Sequence, residues 1–165
     1  KNIKNVDNIS ILRADSFNMP FRDASFDVVA VRLAPYLKRE VFRVLRRGGC
    51  LIEYGTGLED WKEVRQTFAY NYAKAFQEEL PEEEKGFEEQ ELLRRIGFQN
   101  VEIKEYQFSE YYPFQAMVDV IEFVPIVESF NKEKDRKKLL EIKDKYSTSK
   151  GIHITRQIRI LTARK

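Results

Sequence analysis

The chain has 165 residues, 42% of them hydrophobic and 34% charged, which is enough apolar content for one buried core of ordinary domain size. A net charge of +2 excludes a strong overall field for holding a polyanion, and no apolar run is long enough to span a bilayer. The single cysteine, Cys50, has no partner for an intrachain disulfide, and Lys1 does not begin a signal segment, so a cytoplasmic protein is expected.

In chain order, residues 9–14 form a short β-rich run that ends at Asp15. Phe26-Asp27-Val28-Val29-Ala30-Val31 is nearly continuously apolar, as a strand buried on both faces would be. Both runs predict parallel core strands. Between them Asn18, Pro20, Asp23 and Ser25 break regular structure, so residues 15–25 read as a loop leaving the carboxyl end of the first strand. Open α/β sheets bind ligands outside such ends. Residues 37–46 have helical spacing, with Leu37, Val41, Val44 and Leu45 on one side and Lys38, Arg39 and Arg46 on the other, before Gly48-Gly49 stops the helix. Residues 50–54 are the next strand.

Trp61, Val64, Phe68, Tyr72 and Phe76 recur at three and four residues, which predicts an amphipathic helix over 59–79. A second aromatic stretch, 106–130, holds Tyr106, Phe108, Tyr111, Tyr112, Phe114, Phe123 and Phe130 and falls between the last two predicted strands. Lys132, Lys134, Lys137, Lys138 and Lys145 alternate with Glu133, Asp135, Glu141 and Asp144 around an apolar side of Leu139, Leu140, Ile142 and Tyr146. This is the solvated face of a helix rather than a phosphate-tracking patch. Residues 152–160 alternate, with Ile152, Ile154, Ile158 and Ile160 on one face and His153, Thr155, Gln157 and Arg159 on the other. His153, the only histidine, has no acidic sequence neighbour to orient it and is expected on the strand surface; no catalytic base can be named from the sequence. No Cys, His, Asp or Glu cluster has metal-ligand spacing.

Ala14-Asp15, then Met19-Pro20-Phe21, then Ser25-Phe26-Asp27-Val28-Val29, then Arg43-Val44-Leu45-Arg46-Arg47-Gly48-Gly49 before an apolar strand, together resemble the central motifs of class I S-adenosylmethionine-dependent methyltransferases. The likeness continues more weakly through Glu91-Leu92-Leu93 and Gly97-Phe98-Gln99-Asn100-Val101 to the closing β-rich segment. It implies an α/β fold: a Rossmann-like, mostly parallel sheet with helices on both faces and an antiparallel terminal strand. The opening βαβ part, with the family's Gly-rich turn, is missing from this reading. Glu53-Tyr54-Gly55-Thr56-Gly57 resembles that turn but already follows the strand assigned to residues 50–54, so it reads as a sharp loop exit.

The resemblance also implies S-adenosylmethionine as cofactor. Asp15 would accept from the adenine amino group, with Ser16 and Phe17 flanking the ring. Arg32 and Leu33 match positions that face the transferring methyl. A cation beside a sulfonium is repulsive, so Arg32 is expected either to bind an anionic group of the substrate or to point away. Tyr36, Trp61 and Tyr112 join Arg32 as expected substrate-binding residues. One domain, 1–165, is expected, with lid-like insertions at 59–86 and 106–149, and a small-molecule acceptor is favoured over RNA. The competing reading is a truncated or degenerate methyltransferase-like module that binds or self-associates without catalysis, since an unpaired apolar strand favours homo-oligomers. The charge density fits a thermophilic source.

Overall fold

The computed structural model describes residues 8–71, 74 and 82–165. In chain order these form β1 (Phe26–Arg32), α1 (Lys38–Val44), β2 (Leu45–Thr56), α2 (Lys62–Thr67), a 3-10 turn (Glu82–Glu84), α3 (Glu89–Ile96), β3 (Gln99–Tyr112), α4 (Phe114–Phe123), α5 (Arg136–Tyr146), β4 (Ser147–Thr148) and β5 (Gly151–Arg164). The sheet order is β1-β2-β5-β3, with β4 added against β5. β1 and β2 are parallel and are joined across α1, as the β-helix-β reading of residues 26–54 requires. The other described ladders, β2 with β5, β3 with β5 and β4 with β5, are antiparallel. The expected Rossmann-like α/β class therefore appears as a mixed sheet, its parallel part confined to β1 and β2.

β3 and β5 outrun their neighbours. Thr56, the last residue of β2, lies opposite Ile158, while β5 continues back to Ile152 opposite Tyr112 of β3. Beyond β2 the free side of β5 is taken by the following loop, where Gly57 N–H donates to the Gln157 carbonyl at 3.0 Å and Trp61 N–H to the Thr155 carbonyl at 2.8 Å. This ribbon rises past the carboxyl ends of β1 and β2.

Two helical layers cover opposite faces. Val41 and Leu45 around α1, Leu93 of α3 and Phe98 pack on Leu51, Leu161 and Ala163. α3 ends at Gly97, whose φ of 119° suits glycine, and a Cβ there would stand 2.8 Å from Phe42 Cζ. On the other face, Met117, Val118 and Ile121 of α4 and Leu139 and Ile142 of α5 pack with Trp61 and Val64 against Ile152 and Ile154. Strand alternation places Ile152 and Ile154 opposite in direction to Leu161 and Ala163. The second layer covers the ribbon end of its face alone. Val28, Ile52, Tyr106 and Phe108, which share that face, remain 51%, 40%, 48% and 44% exposed.

Three expectations change. Residues 9–14 are exposed and lie outside the sheet. Their β-rich composition makes a strand only where a neighbouring strand supplies the ladder, and none does among the described residues. Residues 106–112 belong to β3 rather than to an insertion, so the segment between the last long strands begins at Pro113. The helix expected over 59–79 is interrupted: α2 spans Lys62–Thr67, residues 68–71 are not helical and Lys74 is helical again, while Tyr72 and Phe76 lie outside the described residues.

Candidate functional site

The loop before β1 and the loop after it meet at the carboxyl rim. Ser16 Oγ–H donates to the Pro35 carbonyl at 2.8 Å, and Phe17 N–H donates to Asp15 Oδ1 at 2.8 Å, which closes residues 15–17 into a tight turn. Arg43 of α1 holds the rest of this loop: its guanidinium donates to the Phe21 and Met19 carbonyls at 2.7 and 2.9 Å and to the carboxylates of Glu40 and Asp23 at 2.8 Å. Glu40 in turn accepts from Met19 N–H at 2.9 Å. Hydrogen bonds from Arg43 hold the Glu40 carboxyl below its ordinary range, against a smaller effect of burial. The loop is thus fixed by helix α1, not by the sheet.

Arg32 and Leu33 leave β1 at this rim. Leu33 adopts a left-handed φ of 48°, uncommon for a branched residue, and its N–H donates to the Tyr54 carbonyl at 3.0 Å. The Arg32 guanidinium lies 5.6 Å from the centroid of the Tyr54 ring, and both Arg32 and Leu33 are exposed. The Asp15-Ser16-Phe17 turn and the end of β1 at Arg32 and Leu33 are therefore brought to one rim by the Ser16 to Pro35 bond.

The other expected site residues are placed differently. Tyr36 is buried, and its hydroxyl donates to Glu53 Oε2 at 2.5 Å. Trp61 is buried against Tyr112, with ring centroids 5.2 Å apart, and belongs to the core of α4 and α5. The half-buried Tyr112 hydroxyl bonds the Glu110 carboxylate, which also accepts from Arg156 at 2.9 Å. Tyr36 and Trp61 present almost no surface to a ligand in this arrangement.

Beneath the rim lies a charge network that sequence reasoning missed. Lys38 at the start of α1 pairs with Glu84 at 3.2 Å and Glu89 at 3.3 Å, while Arg159 of β5 pairs with Glu89 and stands 3.9 Å from Glu53. Burial pushes the Glu53 carboxyl up, the Glu89 charge adds to this, and the Tyr36 hydroxyl, Lys38 and Arg159 oppose it. Burial and the Glu53 carboxylate hold the Tyr36 phenol well above its usual value. Burial acts to lower Lys38, but Glu89, Glu84 and Glu53 together outweigh it and raise the ammonium. Sequence held one signal: Glu53 and Arg159 sit at strand positions whose alternates, Leu51 and Leu161, face the core. A charge at an inward strand position needs a partner.

Among the described residues, no group of three or more His, Cys, Asp or Glu could hold a metal ion, and no helix is long and apolar enough to cross a membrane. No family model and no curated protein matches the sequence. Solved structures do. A protein of Bacillus halodurans named as a methyltransferase aligns at 18% identity over 98% of this chain and 74% of that one, with a TM-score of 0.57. The YcgJ protein of Bacillus subtilis aligns at 14% identity over 98% of this chain and 73% of that one, with a TM-score of 0.55. The strand order, the two helical layers and these likenesses agree on one fold, the Rossmann-like α/β fold of class I methyltransferases.

Proposed function

We propose that the protein is an S-adenosylmethionine-dependent methyltransferase whose acceptor is a small molecule. The observation that carries this reading is the Ser16 to Pro35 hydrogen bond, which sets the Asp15 turn beside the loop that leaves β1. Ligands of open α/β sheets collect at this rim.

The residues there fit an adenosyl group. Asp15 is exposed, and with Oδ1 on the Phe17 amide its second oxygen can accept from an adenine amino group. Phe17 and Leu33, 37% and 54% exposed, offer apolar surface to a flat ring. When bound, the cofactor would supply an electrophilic methyl on a sulfonium. The chain's part is alignment and water exclusion, for which fixed loops suffice. Arg32, held over Tyr54, would meet a carboxylate or phosphate of the acceptor. Tyr36, through Glu53, and Trp61, against Tyr112, would support the walls of the substrate region from behind.

A small molecule is favoured over RNA because acidic residues are interspersed with the later lysines and take up two of them in local pairs. Lys132 pairs with Glu122 at 3.1 Å and Lys138 with Asp135 at 3.6 Å. The test is calorimetric titration of the folded chain with S-adenosylmethionine. A Kd below about 1 mM, weakened roughly tenfold or more in Asp15→Ala, supports the reading. No binding heat from the folded chain overturns it. The second reading, a non-catalytic module that self-associates, draws on the uncovered face at Val28, Ile52, Tyr106 and Phe108 and predicts that negative result together with a concentration-dependent mass.

A further inference from the structure

We propose that Ser109, His153 and Glu63 form an activated-hydroxyl site on the β3–β5 ribbon, in which Ser109 Oγ is a nucleophile toward small esters and phosphonates. Ser109 lies directly opposite Thr155 in the ladder, with His153 on the same face two residues along β5. Ser109 Oγ is 2.8 Å from His153 Nε2. On the far side of the ring, His153 Nδ1 is 3.6 Å from Glu63 Oε1, within electrostatic reach and slightly longer than a hydrogen bond.

The Glu63 carboxylate is fixed. Thr155 N–H donates to its Oε2 at 2.9 Å and Thr155 Oγ1–H to its Oε1 at 2.6 Å, so one strand residue orients both oxygens from behind the imidazole. An ionised carboxylate accepts and cannot donate, which favours the imidazole proton on Nδ1 and leaves the Nε2 lone pair for the Ser109 hydroxyl. A base within hydrogen-bond reach of a hydroxyl, itself oriented by a third group, is the arrangement that makes a weak nucleophile reactive. Such rows are recognised by geometry and role on unrelated folds.

Accessibility runs in the required order. The Glu63 side chain is 4% exposed and that of His153 32%, while Ser109 is exposed. Water is kept from the orienting charge and substrate can reach the hydroxyl. Tyr111 sets its ring against the imidazole with centroids 5.6 Å apart, and the Lys150 ammonium stands 5.3 Å from the Tyr111 centroid. Tyr111 gives an apolar wall for an aromatic or short acyl group, and Lys150 sets a positive charge over that same ring.

The step balances within the site and its substrate. Ser109 Oγ bonds the ester carbonyl carbon as its proton passes to His153 Nε2; the tetrahedral adduct then collapses, the bond to the alkoxy oxygen breaks, and the leaving alcohol takes that proton. Water, deprotonated by the same nitrogen, releases the acid and restores Ser109.

The test uses a fluorophosphonate probe and intact mass. With this probe the new bond joins Ser109 Oγ to phosphorus, the phosphorus–fluorine bond breaks, and fluoride leaves. The expected result is a single adduct mapped to Ser109, absent in Ser109→Ala and formed at least roughly 100-fold more slowly in His153→Gln. Glu63 is a positioning residue, so Glu63→Gln should slow labelling and also move the His153 ring nitrogen shifts toward the other tautomer. His153 is half-exposed, and unchanged circular dichroism of His153→Gln keeps the comparison valid. A folded wild-type chain that takes no adduct on Ser109, or labels equally fast in His153→Gln, overturns the proposal. None of these readouts involves S-adenosylmethionine, so they stand or fall apart from the methyltransferase reading.

Discussion

Ser16 and Pro35 stand on either side of β1, and the hydroxyl of the first donates to the carbonyl of the second at 2.8 Å. Neither residue is in the sheet, so this bond is what sets two rim loops against each other. A typical hydrogen bond of this kind contributes about 0.5–1.5 kcal/mol net. Ser16→Ala is expected to weaken S-adenosylmethionine binding roughly 2- to 10-fold while global stability moves by no more than about 0.5 kcal/mol, because the site is exposed. Titration calorimetry beside thermal melting reads both. Equal affinity in the variant would mean that the bond does not shape the cofactor region.

Arg43 gathers Met19, Phe21, Asp23 and Glu40 around one guanidinium. Replacing it with methionine keeps the stem and removes every donor. Trypsin should then cut after Arg22 faster than in the wild-type chain, with the melting transition little changed. Acid should act in the same direction. Glu40 is held below its ordinary value, so its contribution is present above the unfolded carboxylate range and is lost as pH falls through the lowered folded value. Protonation would release the Met19 amide, and its amide resonance in NMR should move in that pH window while resonances of the α4 and α5 core stay still.

Much of the architecture could be read from spacing alone, and what could not be read depends on distant neighbours. The apolar run from Phe26 and the alternation from Ile152 appear as β1 and β5, and the helix expected over 37–46 appears as α1, but it ends at Val44 and β2 begins at Leu45, so Gly48-Gly49 lie within the strand rather than stopping the helix. Residues 9–14 show the limit, because strand composition does not create the partner strand. Aromatic density hid the end of β3: Tyr106, Phe108 and Tyr112 alternate with polar neighbours at period two, a strand signal that the count of rings obscured. Motif order grouped Asp15, Ser16 and Phe17 with Arg32 and Leu33, and the Ser16 to Pro35 bond brings these two segments to one rim. Glu63 beside His153, and Glu53 beside Tyr36 and Arg159, were not, since those contacts join segments separated by up to about a hundred residues.

Ile52 and Tyr106 stand on the sheet face that α4 and α5 leave open, and β1 has no second strand partner among the described residues. An open apolar face next to a free edge favours association. Sedimentation of the chain at tens of micromolar should show species heavier than the 19.6 kDa monomer. Ile52→Lys should shift the population toward monomer without lowering the melting temperature, because the substituted side chain is 40% exposed. A wild-type chain that stays monomeric across this range would remove self-association from consideration.

Glu53 supplies the sharpest stability prediction. The network beneath the rim sets the carboxylates of Glu53, Glu84 and Glu89, with the exposed Glu105 3.9 Å from Arg159 at its edge, against the two cations Lys38 and Arg159. Burial and the Glu89 charge raise the Glu53 carboxyl in the folded chain. A carboxyl whose folded value lies above its unfolded value binds more protons when folded, so stability from this group is fully present below the unfolded value and is lost as pH rises through the folded one. Ionising Glu53 therefore costs more in the folded chain than in the unfolded one, so its charge opposes folding. Glutamine keeps an acceptor for the Tyr36 hydroxyl and removes the excess charge, while Arg159 retains Glu89. Glu53→Gln is expected to raise the neutral-pH melting temperature by roughly 2–4 °C, corresponding to about 1 kcal/mol for a chain of this size. The gain should shrink as pH falls through the raised folded value, where wild-type Glu53 takes up its own proton. A variant that melts lower than wild type at neutral pH would show instead that the Glu53 charge is needed by Lys38 and Arg159.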